Sequence, residues 1–194
     1  RISELGLDME QYLKTFTEVL RSDGFIERDS FYEISKRWIH SILDTTRPDE
    51  VISLLSDTTE MRNAHEALFN SEKMLRNIFD NVQVGVELYD KEGCLVDINT
   101  KNLDIFGIAA KEDVLGINFF ENPIVPEEIR RNVRNGQEQS FRLDYPFDRL
   151  GGYYPSRKKG SVQIYTKVTM LYDMYGELVN FLVLNIDNTE INEA

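Results

Sequence analysis

The feature that most constrains this chain is a strand-like run that ends in an acidic turn and occurs twice. Residues 179–186 (VNFLVLNI) are apolar and β-rich, and they stop abruptly at Asp187, Asn188, Thr189 and Glu190. Earlier, residues 51–56 (VISLLS) stop in the same way at Asp57, Thr58, Thr59 and Glu60. Asp57 and Asp187, Thr59 and Thr189, and Glu60 and Glu190 share one spacing (187 − 57 = 130). A fixed period between two such joints points to a structural unit used twice. With 194 residues there is room for one unit and part of another, at roughly 150 residues per domain.

Between the first joint and residue 79 the chain has neither Gly nor Pro and is rich in good helix formers. Met61, Leu68 and Leu75 recur every seven residues, and Ala64, Ser71 and Ile78 repeat three positions later. That spacing predicts a helix with an a/d seam, weakened on one row by the small Ala64 and Ser71. Two readings stand. One is a parallel coiled coil that pairs two chains through Met61, Leu68, Leu75 and Ile78; the other is an amphipathic helix packed on its own domain. Asn70 and Ser71 mark a candidate break, after which Ser71, Met74 and Leu75 would begin a fresh helix.

Residues 83–190 read as a complete domain. Residues 84–89 and 94–98 alternate in hydropathy around the turn residues Asp90, Lys91, Glu92 and Gly93, which predicts a hairpin. Short helices are expected at 100–106, closed by Gly107, and at 111–115, closed by Gly116. A third spans 126–134, with Pro126 in its first turn, acids early and Asn135-Gly136 as stop. Strands follow at 140–145, 161–171 and 178–186, with a long irregular excursion over 146–160. This order predicts an α+β fold: one five-stranded antiparallel sheet with short helices on one face.

Residues 1–57 repeat only the later part of that plan. A helix is predicted over 9–20, with Met9, Leu13, Phe16 and Leu20 on one face. Strands are predicted at 25–34, 37–43 and 51–56, the second placing Ile39, Ser41 and Leu43 opposite Trp38, His40 and Ile42. A half sheet of this kind leaves edges unpaired and one face to cover.

In the order of these elements the chain resembles the PAS family. Asp90 and Gly93 fit its first hairpin, Asn99 with Phe106-Gly107 its strand-to-helix signature, and Val114-Leu115-Gly116 its next helix end. Asp187, Asn188, Thr189 and Glu190 are similar to the family's exit motif, with Asn188 where Ile is usual. The resemblance covers residues 71–194, and residues 9–60 resemble the second half of a preceding PAS domain. The expected organisation is therefore residues 1–57 as that half domain, completed upstream or by another chain, 58–82 as connecting helix, 83–190 as complete domain and 191–194 as the start of an exit linker. The chain begins at Arg1 without Met and reads as a segment of a longer protein.

The resemblance implies a sensory segment of a signalling protein, similar to those upstream of histidine kinases. It would act by ligand- or partner-dependent rearrangement of paired helices in a homodimer, with Asp57, Thr59, Glu60, Asp187, Thr189 and Glu190 as signal exits. The alternative is a ligand-free dimerisation and assembly scaffold. PAS domains enclose a cavity between sheet and helices; Leu103, Phe106, Phe119, Val133, Phe141, Tyr165 and Leu184 are its expected lining, and a filled core is the competing reading. No cofactor is identifiable. Photoactive flavin types need a Cys in a short helical motif, whereas Cys94 falls in a predicted strand. Haem types ligate through His, and residues 84–187 contain none.

Other chemistry finds little support. His65-Glu66 resembles a kinase phosphoacceptor pair without its following Pro, and His40 beside Trp38 reads as a packed strand histidine. Gly151-Gly152 lacks the strand and helix that flank a phosphate loop, and no nucleophile–base set or carboxylate pair emerges, so no enzyme is expected within this segment. A net charge of −12 argues against nucleic acid and an anionic membrane surface. The basic patch at 153–160 reads as a solvated loop. One cysteine, no membrane-length apolar run and no signal sequence fit the cytoplasm.

Overall fold

The computed structural model describes residues 25–47 and 50–188, together with 10, 13, 14, 17 and 18. The chain divides into two compact units, Arg1–Lys73 and Met74–Ala194.

In the first unit, β1 (Phe25–Tyr32), β2 (Arg37–Arg47) and β3 (Glu50–Asp57) form an antiparallel sheet in sequential order. The alternation read from β2 is realised: Ile39, Ser41 and Leu43 are buried, whereas Trp38, His40 and Ile42 are only partly covered. Tyr32 is buried with them. Among the described residues, β3 has a strand neighbour on one side only. Residues 10, 13, 14, 17 and 18 are helical; Met9, Phe16 and Leu20 of the expected helix lie outside the described residues.

Helix α1 (Thr59–Asn81) begins in the first unit and ends in the second. Asp57 starts it, its carboxylate accepting the Thr59 N–H at 3.0 Å and so satisfying a donor that the helix itself cannot. The helix runs through Asn70 and Ser71 without the expected break, because a polar residue in mid-helix costs only tenths of a kcal/mol, roughly, when neighbouring turns hold it.

The second unit contains β4 (Gly85–Asp90), β5 (Leu95–Ile98), α2 (Thr100–Phe106), α3 (Glu127–Arg134), β6 (Gln139–Pro146), β7 (Ser161–Tyr172) and β8 (Leu178–Asp187). Single 3₁₀ turns occur at Lys111–Asp113, Phe119–Glu121 and Phe147–Arg149. The five strands form one antiparallel sheet in the order β5-β4-β8-β7-β6. The final strand thus lies at the middle of the sheet.

Local chemistry explains the joints. The Asp90 carboxylate accepts the Cys94 N–H at 2.8 Å, and Gly93, at φ 91°, closes the β4–β5 hairpin in a conformation that a side chain would oppose. Gly107, at φ 67°, ends α2 by donating its N–H to Leu103 O. Period-two alternation along β7 buries Val162, Ile164, Thr166, Val168 and Met170. Along β8 it buries Phe181, Val183 and Asn185. The core includes Tyr89 stacked on Phe181, ring centroids 5.1 Å apart, with Phe119 edge-on to both.

The two units repeat one arrangement. Strands β1-β2-β3 and β6-β7-β8 are both sequential antiparallel triplets. Ile39 pairs with Asp57 as Ile164 pairs with Asp187. Buried Ile39, Ser41 and Leu43 answer buried Ile164, Thr166 and Val168, and Tyr32 answers Tyr145. Just past each acidic residue the backbone makes the same bond: Thr58 N–H to Trp38 O at 2.9 Å, and Asn188 N–H to Gln163 O at 2.9 Å.

Candidate functional site

Strand β4 sits between β5 and β8 and is hydrogen-bonded along both edges. Val86 and Leu88 occupy one face; Glu87 and Tyr89 point the other way, into a hollow beneath the helices. The hollow is also lined by Phe106 of α2, Phe119, Val125, Phe141 and Tyr145 of β6, Ile164 and Thr166 of β7, and Val183 and Asn185 of β8. The excursion after β6 supplies Tyr153 and Tyr154. About 40 Å³ of this space is open to the centre of a water-sized sphere. A single water needs roughly 10–15 Å³ on that measure, so the hollow has space for about three or four waters.

A connected set of polar side chains forms the floor. Asn102 Nδ2 donates to Glu87 Oε1 at 2.7 Å, and Tyr89 Oη donates to Glu87 Oε2 at 3.0 Å. Asn185 Nδ2 donates to Asn102 Oδ1 at 3.0 Å, and Thr166 Oγ1 donates to Asn185 Oδ1 at 2.8 Å. Burial pushes the Glu87 carboxyl up to about 7, against the opposing pull of hydrogen bonds from Asn102, Tyr89 and Asn185. Burial likewise raises Tyr89 and Tyr154, and Tyr145 to about 12, so these phenols stay neutral at ordinary pH. Tyr145 is the polar neighbour of the Tyr154 hydroxyl, which is buried and makes no hydrogen bond of ordinary geometry.

The same set reaches the end of α1. Asn99, fully buried, accepts the N–H groups of Val86 and Asn102 at 2.9 Å each through Oδ1. Through Nδ2 it donates to Phe79 O and Val84 O, both at 2.9 Å. Gly85 permits this crowding, because a Cβ there would collide with the Asn102 amide. Arg76 in the last turns of α1 pairs with Asp80 at 2.8 Å and with Asp97 of β5, and stacks over Phe79 at 5.2 Å. Met61, Leu68, Leu75 and Ile78 are 68%, 59%, 64% and 54% exposed, and no residue of α1 is buried.

Of the seven expected lining residues, Phe106, Phe119 and Phe141 line the hollow, and Leu103, Val133, Tyr165 and Leu184 do not. The error at Tyr165 and Leu184 is one residue of strand register: Ile164, Thr166, Val183 and Asn185 take the inward face. Val133 is buried in α3 and Leu103 packs at the margin of the core. Glu87, Tyr89, Asn102 and Asn185 were not singled out from sequence. Asn185 is one of two amides, with Asn180, in the otherwise apolar run of β8.

Elsewhere, Arg37 pairs with Asp57 at 3.3 Å, and Thr59 Oγ1 accepts the Trp38 N–H at 2.9 Å, tying the first joint to β2. The hydrogen bonds from Thr59 hold the Asp57 carboxyl below its usual range. Glu60 opens the first turn of α1. Asp187 ends β8; Thr189 and Glu190 lie outside the described residues. His40 Nδ1 lies 2.9 Å from Asp29, and His65 is exposed. Cys94 precedes β5 instead of lying inside it. Arg157, Lys158 and Lys159 are exposed, but Phe147, Leu150 and Tyr154 of the same excursion are core residues. Among the described residues, no three His, Cys, Asp or Glu side chains are grouped to hold a metal ion, and no helix is long and apolar enough to cross a membrane.

The sequence profile of the family described as PAS fold matches residues 73–187, more than half the chain. The chain belongs to the PAS family. Its structure is similar to the PAS domain of an HTR-like protein from Haloarcula marismortui, with a TM-score of 0.50 and 17% identity, covering 65% of this chain and 98% of that one. It is also similar to an RNA-binding light-oxygen-voltage receptor, with a TM-score of 0.51 and 12% identity, covering 96% of this chain and 84% of that one. The PAS domain of Bordetella pertussis BvgS matches with a TM-score of 0.46 and 23% identity, covering 66% of this chain and 93% of that one. No curated protein matches the chain.

Proposed function

We propose that this chain is a sensory segment of a cytoplasmic signalling protein, built from the C-terminal half of one PAS domain, a connecting helix and a complete second PAS domain. The state of the second domain's hollow biases how α1 pairs with the same helix of a second copy, and the change passes on to an output module such as a histidine kinase. The observation that carries this reading is α1 itself. Its Met61, Leu68, Leu75 and Ile78 seam stands in solvent, and its final turn is held by Asn99, whose neighbour Asn102 holds Glu87 in the hollow. A helix with no buried residue is unusual unless it packs against a partner. The one-sided β3 and the repeated acidic joints support the half-domain assignment, with Asp57, Thr59 and Glu60 as the first signal exit and Asp187, Thr189 and Glu190 as the second.

A sensor requires its signal to differ in free energy between two helix arrangements. The small volume of the hollow favours a second reading, a ligand-free module that assembles partners and senses nothing. Light scattering tests the assembly that both readings share. The chain is expected to be dimeric at high micromolar concentration and monomeric when Leu68→Glu and Leu75→Glu are combined. A monomeric parent, or a dimer indifferent to both substitutions, would contradict it.

A further inference from the structure

We propose that the hollow of the second unit binds a small primary ammonium ion, with Glu87 as its counter-ion. The proposal rests on the sensory reading above and names the chemistry of the signal. Glu87 is the only carboxyl among the lining side chains; the others are apolar, phenolic, amide or hydroxyl. Its oxygens are met by Asn102 and Tyr89, both neutral donors, and by no Lys, Arg or His. An ionised carboxylate enclosed in this way lacks the positive partner that offsets burial. The unusually high proton affinity of Glu87 is the trace of that deficit.

An ammonium group supplies the missing charge and three N–H donors in one compact head. The walls suit the same ion. Rings of Tyr89, Phe106, Phe119, Tyr145 and Tyr154 surround the space, and aromatic rings attract cations most strongly where water is excluded. Tyr154, only 7% exposed, lines the hollow, and its hydroxyl, beside Tyr145 but making no hydrogen bond of ordinary geometry, is an acceptor for a second N–H. The volume of about 40 Å³ limits the ligand to a few heavy atoms. A bulky cation fails the size, an anion fails the charge, and a nucleotide fails both.

Titration of the 194-residue chain with methylammonium chloride at pH 8, followed by amide NMR, tests this, with methanol and sodium chloride as controls. Methylammonium is expected to shift the signals of Glu87, Asn102, Tyr154 and Asn185 saturably, whereas methanol and sodium do not. Glu87→Gln should weaken binding ~10-fold or more, and lowering the pH to 6 should weaken it about as much by protonating Glu87. Tyr154→Phe should weaken it several-fold, and it carries the test if Glu87→Gln fails to fold. No response at about 100 mM, an equal response to methanol, or unchanged binding by both variants would overturn the proposal. If methylammonium fails while α1 still pairs two copies, only the ligand class falls; if the chain is monomeric, the assembly reading falls and the ligand result stands by itself.

Discussion

Glu87 faces the helices from a central strand, with hydrogen bonds from Asn102 and Tyr89 and no basic partner. This fixes the sign of a pH effect. Its folded-state acidity is shifted from 4.5 to about 7, so the native protein holds a proton that the unfolded chain has released. The stability from Glu87 is fully present below about 4.5 and lost as pH rises through about 7, a change of about 3 kcal/mol at most. Asp29, Asp57 and Asp97 are shifted downward and act in a separate, more acidic window. Urea unfolding should therefore show parent stability falling between pH 5 and pH 8 relative to Glu87→Gln. Parallel curves for the two proteins would mean that the carboxyl is hydrated. The sequence could not reveal this residue, because alternation states which positions share a face and leaves open which face is inward. The same ambiguity put Tyr165 and Leu184 in the hollow in place of Thr166 and Asn185.

Elements were legible where local chemistry dictates them. Gly107 ends α2 because a left-handed residue closes a helix, and Asp90 with Gly93 sets the β4–β5 hairpin. At Asp57 the repeated acidic joint does mark where a helix begins, its carboxylate accepting the Thr59 N–H. The lining of the hollow was less legible, since it is assembled from β4, α2, β6, β7, β8 and the excursion that follows β6, which local patterns do not bring together. Asn99 is where these elements are joined. Its side chain, fully buried, serves Val86, Asn102, Phe79 and Val84 at once. Asn99→Ala leaves several of these backbone groups without that partner and should cost about 3 kcal/mol in chemical denaturation. A loss below about 1 kcal/mol would show that water replaces the amide.

At the scale of the molecule, the repeat gives two sheets of one design and a single helix that takes part in both units. Among the described residues, the first sheet has a strand on only one side of β3, where the second places β8 between β4 and β7. The central claim concerns the second unit: that the state of Glu87 is felt at the end of α1 through Asn102 and Asn99. Coupling of this kind needs direct evidence, because adjacency alone does not transmit free energy. The most direct measurement is an NMR pH titration of the backbone amides of residues 79–84 in the parent and in Glu87→Gln. The account predicts that these amides titrate in the parent with a midpoint near 7, set by Glu87, and that the titration is absent in Glu87→Gln. Amides that stay still in the parent, or that titrate identically in both proteins, would contradict it.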